Sequence, residues 1–120
     1  MPWFKEPTLK KGRDGFLIVV TTGIWKDPTT NVNHVVPEGT ETNLASIPWF
    51  LGWYIDKLGD SLLPSILHDF EYVHGNDRKA ADRRFYVGLV EDGMRESKAA
   101  LAYRTLRAVG WYAWNKGHKK

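Results

Sequence analysis

The stretch Leu67-His68-Asp69-Phe70-Glu71-Tyr72-Val73-His74-Gly75-Asn76-Asp77-Arg78-Lys79-Ala80-Ala81-Asp82-Arg83-Arg84-Phe85 decides how the chain folds. It reads as helix, tight turn, helix. Gly75-Asn76 supplies the break, through the left-handed backbone that these two residues tolerate best. Asn76 or Asp77 caps the second helix. His68 lies seven residues before Gly75 and Asp82 seven after it. In an antiparallel pair both positions sit roughly 10 Å from the turn, at ~1.5 Å rise per residue. They are then level and able to meet across the seam.

On the first helix Leu62, Ile66, Phe70 and Val73 form an apolar stripe, with Asp69 inside it and Ser65, His68 and Tyr72 along one edge. On the second, Ala81, Phe85 and Leu89 form the stripe and Asp82 sits beside it. An unpaired buried carboxylate costs several kcal/mol, roughly, so each acid needs a cation, a histidine or backbone N–H groups. Two readings stay open. In one, an Asp–His hydrogen bond fixes two helices. In the other, His68 is a general base oriented by Asp82, with a metal-binding acid beside it.

Working outward, Asp60-Ser61 caps the first helix and Pro64 falls in its first turn, with the helix running to about His74. The second helix spans about Asp77 to Glu91 and stops at Gly93. A third runs from Glu96 or Ser97 to about Asn115, with Ala99, Ala102, Leu106, Val109 and Ala113 as its apolar positions. Upstream, residues 1 to 15 read as an irregular arm with at most one short strand. Phe16 to Thr22 is a β-branched strand, broken or bulged at Gly23 and continued by Ile24-Trp25. Asp27-Pro28 and Thr29-Thr30-Asn31 signal a turn, Val32 to Val36 a returning strand, and Pro37-Glu38-Gly39 a second turn. The expected fold class is α+β: a small N-terminal antiparallel sheet, then a three-helix part. A chain of 120 residues is one domain by length, with residues 1–42 mainly strands and loops and 43–120 mainly helical.

Composition excludes several classes. There is no cysteine, hence no disulfide frame and no thiolate zinc site. The net charge of +3 is mild, and Lys116, His118, Lys119 and Lys120 supply part of it. No apolar run reaches the roughly twenty residues of a membrane span, and no signal peptide is indicated. His34 and His74 read as exposed or loop histidines. Arg78, Lys79, Arg83, Arg84, Arg104 and Arg107 alternate with acids and read as a solvated helix surface. No motif for specific nucleic-acid recognition is present. Six tryptophans are many for this length. Trp49, Phe50, Trp53 and Tyr54 read mainly as packing of helices on the sheet, or else as a lip facing lipid or a partner. Trp111, Tyr112 and Trp114 cannot all face one core, so at least one is exposed or in a contact.

Two resemblances follow. Thr42-Asn43-Leu44-Ala45-Ser46-Ile47-Pro48, Leu67-His68-Asp69 with Tyr72, Ala81-Asp82 with Phe85, and Gly110-Trp111 resemble, in order, a family of small phage and prophage proteins catalogued as a domain of unknown function. This implies a phage setting: a virion, tail or assembly protein, located in the virion or the host cytoplasm. Its implied partners are other phage proteins, a second copy of the chain, a membrane surface or a host protein. More distantly, His68-Asp69-Phe70 with Tyr72, then Arg78 and Asp82 with Phe85 and Leu89, is similar to the active-site helix pair of prokaryotic phospholipases A2. That resemblance implies His68 as the base for water, Asp69 as a calcium ligand and Asp82 as the residue orienting His68. The chain then acts as a calcium-dependent lipid or ester hydrolase on the host envelope. The calcium loop of that family corresponds to a stretch poor in glycine here. Asn43 stands where phage relatives carry an acid. The implied calcium site, Asp69 with Asn43, is therefore weak, with Kd roughly 10⁻⁴–10⁻³ M. A third reading is a host-takeover protein that binds a bacterial partner through its aromatic surface.

Overall fold

The computed structural model describes residues 3–5, 7–12, 16–42 and 62–118. The chain forms two compact units, Met1–Asn43 and Leu44–Lys120. The fold is α+β, with an antiparallel N-terminal part followed by three main helices and a short fourth.

Among the described residues the first unit holds six strands: β1 (Trp3–Lys5), β2 (Thr8–Lys11), β3 (Leu17–Thr21), β4 (Gly23–Lys26), β5 (Asn33–Val36) and β6 (Glu41–Thr42). They form two three-stranded sheets, in the orders β1-β4-β5 and β2-β3-β6, with every pairing antiparallel. Each of three chain segments therefore contributes one strand to each sheet. The unit is a three-stranded meander, broken across its width. The break falls at Thr22 in the middle segment and at Pro37–Thr40 in the third. There Thr22 Oγ1 accepts from Glu38 N at 3.1 Å. Gly39 N donates to Val19 O at 2.7 Å, and Val19 N donates to Thr40 O at 2.8 Å. Gly39 has φ +88°, a left-handed backbone that glycine adopts without a Cβ penalty.

The arm at residues 1–15 is not irregular: β1 pairs with β4, and β2 with β3, matching Leu9 to Val19 and Lys11 to Leu17. Local composition hides these strands because a strand is stabilised by its partner as much as by its own propensity. The expected turn after β4 is present. Asp27 Oδ1 accepts from Thr29 N at 2.9 Å and from Thr29 Oγ1 at 2.7 Å, and Asn31 takes φ +62°. Val19, Trp25 and Val36 are the buried apolar residues among the described residues of this unit. His34 is not a loop histidine: it lies on β5, half-buried, with its ring 5.9 Å from Trp25.

The second unit contains α1 (Leu62–His74), α2 (Arg78–Glu91), α3 (Glu96–Val109) and α4 (Trp111–His118). The expected caps Asp60 and Ser61 and the aromatic run Trp49 to Tyr54 lie outside the described residues. Asp77 caps α2, its side chain accepting from Ala80 N at 3.1 Å. Gly93, with φ +102°, ends that helix as expected. Gly75 makes its turn differently. It does not take a positive φ. Gly75 N donates to Glu71 O at 2.7 Å, and a Cβ at this position would lie 2.6 Å from the same oxygen. Glycine is needed here for close approach.

The core joins Phe85 and Leu89 of α2 to Ala99, Ala102 and Leu106 of α3. The small alanines let the two helices approach. The stripe expected on α1 is only partly right. Residues 64–69 are all buried, whereas Phe70 is half-buried and Val73 is 38% exposed. A helix turn buried on every side has no single apolar face for a wheel to find.

The expected single third helix is two. Its break at Gly110 follows from crowding. A Cβ there would come within 2.5 Å of both Tyr72 Oη and Leu106 O, and 3.0 Å from an Arg78 nitrogen. Past the break, α4 packs on α1, and Trp114 meets Tyr72 edge to face with ring centroids 5.2 Å apart. Val109, assigned to the core by its helical period, is 39% exposed. Gly110→Ala should therefore destabilise the protein by ~1–3 kcal/mol, the usual range for overpacking. The test is the urea unfolding midpoint, and an unchanged midpoint would show that Tyr72 and Arg78 move aside freely.

Candidate functional site: a buried carboxylate joining three helices

His68 and Tyr72 are one turn apart on α1, so their side chains share a face. Asp82 sits on α2 between Arg78, one turn before it, and Phe85. All three polar residues are buried: Asp82 is 0% exposed, His68 1% and Tyr72 1%. Asp82 Oδ1 accepts from His68 Nε2 at 2.8 Å and from Tyr72 Oη at 2.6 Å. Asp82 Oδ2 accepts from Arg107 of α3 at 2.9 Å, with Arg78 Nη1 3.6 Å away. One carboxylate thus ties α1, α2 and α3 together. The expected His68–Asp82 pairing is present. Tyr72, Arg107 and Arg78 as further partners were not foreseen.

Arg78 does a second job. Its guanidinium donates to Leu106 O at 3.0 Å and Arg107 O at 3.3 Å, the carbonyls at the end of α3. These carbonyls need partners as the helix ends, and a cation there also suits the helix dipole. The i,i+4 spacing of Arg78 and Asp82 was a usable sequence signal. Arg107 gave none, because nothing in its own segment indicates what lies across the core. Of the six basic residues read as a solvated surface, Arg78, Arg84 and Arg107 are instead tied up internally. Arg84 Nε donates to Glu71 Oε2 at 2.8 Å, and its Nη2 bonds the same oxygen.

Burial alone would raise the Asp82 carboxyl pKa. The hydrogen bond and charge of His68, then the Tyr72 and Arg107 hydrogen bonds, outweigh burial and hold it below its ordinary 3.8. Asp82 is therefore ionised at neutral pH and only accepts, so His68 carries a proton on Nε2. The Tyr72 phenol is pushed well above its usual value, first by burial and then by its bond to Asp82 and that residue's charge, against an opposing effect of Arg78. It remains a donor throughout the neutral range. The His68 ring also packs at a tilt against two aromatic rings, 4.2 Å from Tyr72 and 4.8 Å from Phe85 between centroids.

Asp69, adjacent to His68, is 8% exposed. Asn43, its expected companion as a calcium ligand, lies outside the described residues. Among the described residues no group of three or more His, Cys, Asp or Glu is gathered as a metal centre. Ser65, on the same face of α1 as His68, is 0% exposed, and its Oγ has no hydrogen-bond partner among the described residues. His74 is exposed at the end of α1, as expected.

Fold and site together define a small α+β protein whose helical unit is built on a buried His–Asp–Tyr–Arg cluster. The chain belongs to the family described as Protein of unknown function (DUF1353), whose model matches residues 17–106. The match spans the second strand segment through most of α3, so it includes His68, Tyr72, Arg78 and Asp82, while Arg107 lies one residue beyond it. No curated protein and no solved structure matches the chain. Among the described residues no helix is long and apolar enough to cross a membrane.

Replacing Asp82 by Asn leaves Arg107 and Arg78 without their carboxylate and should cost about 3 kcal/mol, the lower end for breaking a buried ion pair because Arg107 keeps some solvent. Because the folded-state pKa is depressed, the stabilisation is complete above the unfolded-state value near 3.8 and is lost as pH falls through the lower folded value. Denaturant titrations from pH 6 downward should therefore show a loss of stability at about pH 4 and below that Asp82→Asn largely removes. Equal slopes in the two proteins would place the acid sensitivity elsewhere.

Proposed function

We propose that this is a phage-encoded protein with a virion, tail or assembly role, and that His68 and Asp82 serve as the clamp of its helical unit rather than as a reaction centre. The observation carrying the second half is the saturation of Asp82: both oxygens are used, by donors from α1 and α3, at a residue without solvent exposure. The phage setting is supported by the ordered motifs from Thr42 to Trp111. A contact role is supported by α4, where Trp111 is 55% exposed and Tyr112 64%, their rings meeting edge to face at 6.0 Å. Aromatic anchors of this kind carry much of the energy of protein contacts. The exposed Lys116 lies further along the same helix. The partner proposed for this surface is another phage protein or a second copy of the chain.

One observation favours a second reading, a calcium-dependent lipid or ester hydrolase. The 2.8 Å bond from His68 Nε2 to Asp82 is the geometry of an imidazole held by an orienting carboxylate, and the buried Asp69 is next to His68 in sequence. In that reading His68 is the base, Asp82 orients it, and Asp69 with Asn43 holds the calcium, which polarises the ester carbonyl.

Fatty-acid release from phosphatidylglycerol vesicles, with and without calcium, separates the two. The clamp reading expects no calcium-stimulated release. Release that His68→Asn abolishes in a folded variant would overturn it. For the contact surface, Trp111→Ala and Tyr112→Ala should each change stability by no more than about 0.5 kcal/mol, as exposed positions do. Both should lower self-association or incorporation into purified particles. If the chain is absent from particles and its deletion leaves particle yield unchanged, the virion and assembly role is wrong.

A further inference from the structure

The outer side of α3 and α4 carries two features that match each other. One is a pocket of about 440 Å³ beside the α2–α3 core, lined by Arg83 and Tyr86 of α2 and by Ala100, Tyr103 and Arg104 of α3. Ala100 leaves the space open, and the rings of Tyr86 and Tyr103, centroids 6.2 Å apart, form its wall. The other is the aromatic pair of α4. Trp111 and Tyr112 are both more than half exposed, and their rings hold each other edge to face. Trp111 follows Arg104 by seven residues, two helical turns, so the two fall on the same side. Gly110 between them keeps right-handed helical angles, φ −67° and ψ −17°, so the chain continues in the same sense across the break. Between pocket and pair lies Ala108, exposed and small.

We propose that the chain forms a symmetric dimer in which Trp111 and Tyr112 of each copy fill the pocket of the other. This rests on the contact surface assigned to α4 above and commits it to one partner, a second copy. Knob and hole lie on one side of α3 and α4, about equally far from Arg107 and Ala108. A two-fold axis crossing there exchanges them and fills both pockets at once, the condition for a closed, self-complementary interface. Ala108 at the axis lets the helices approach. Arg107 brings no free charge to it, because Asp82 Oδ2 is 2.9 Å from its guanidinium. A cavity of about 150 Å³ holds one benzene ring, so the pocket has room for an indole and a phenol together. Arg104, exposed at the rim, then meets the indole, the ring best suited to a cation. Full enclosure buries about 150–250 Å² per aromatic side chain, and more than half of Trp111 and Tyr112 is still open. Four rings then cover roughly 500 Å², and the walls they meet a similar area. The total reaches the ~1,000 Å² that a specific interface requires.

Sedimentation equilibrium of the full chain tests it and should show a monomer–dimer equilibrium at micromolar concentration. Trp111→Ala, which removes the knob, and Ala100→Trp, which fills the hole, should each weaken the dimer roughly tenfold or more. An equal mixture of the two variants should regain association, because either homodimer lacks an intact knob-in-hole contact and the mixed pair has one. Should Ala100→Trp fail to fold, Arg104→Glu takes its place in the mixture. At an exposed position it should leave the unfolding midpoint unmoved and weaken its own dimer roughly fivefold. A chain that stays monomeric at high micromolar concentration overturns the dimer. If Trp111→Ala still lowers incorporation of that monomer into particles, the contact role of α4 stands with another protein as partner. If it does not, both readings fall. A dimer that the variants leave intact, or weakened variants that fail to complement each other, also overturns the proposal.

Discussion

A carboxylate that has lost its water must be given donors, and the helical unit is arranged around meeting that demand at Asp82. His68 and Tyr72 fill one oxygen from α1, and Arg107 fills the other from α3. The donors fix the relative register of three helices, because each bond has a narrow range of length and direction. The same demand extends to α4. Arg78, drawn towards Asp82, occupies the carbonyls at the end of α3. Tyr72, drawn to the same carboxylate, crowds Gly110 and presents its ring to Trp114.

Ionic networks of this kind contribute specificity more reliably than stability. Apolar packing of Phe85, Leu89, Ala99, Ala102 and Leu106 supplies the driving force for bringing α2 and α3 together. It does not dictate one register, since alanine-rich faces tolerate sliding. A charge that is stable only when all its donors arrive together does dictate one. This division of labour explains why so small a unit carries a buried His–Asp–Tyr–Arg cluster without requiring it to do chemistry.

The same cluster is what makes a hydrolase reading worth testing, because a histidine held by an acid is how imidazole bases are positioned. The difference between a clamp and a catalyst lies in what surrounds the dyad. Here the carboxylate is shared with a tyrosine and two arginines, and Asp82, His68 and Tyr72 are buried. The exposed aromatic surface on α4 and the arginine–tyrosine pocket on α2 and α3 lie outside the cluster.

The sequence by itself determined the α+β order, the start of α2 at Asp77, its end at Gly93, and the pairing of His68 with Asp82. All of these are local, or follow from counting residues about one turn, so periodicity and capping suffice to find them. Tertiary structure decided the rest. It turned a presumed irregular arm into β1 and β2, because strands take their stability from partners distant in sequence. It split the third helix at Gly110, because Tyr72 and Arg78 leave no room there for a side chain. It moved Arg78, Arg84 and Arg107 from a solvated surface into internal ion pairs. It also buried α1 on all sides near His68. A long basic side chain looks the same in sequence whether it reaches for water or for a carboxylate on another helix, and only the folded chain brings that carboxylate within reach.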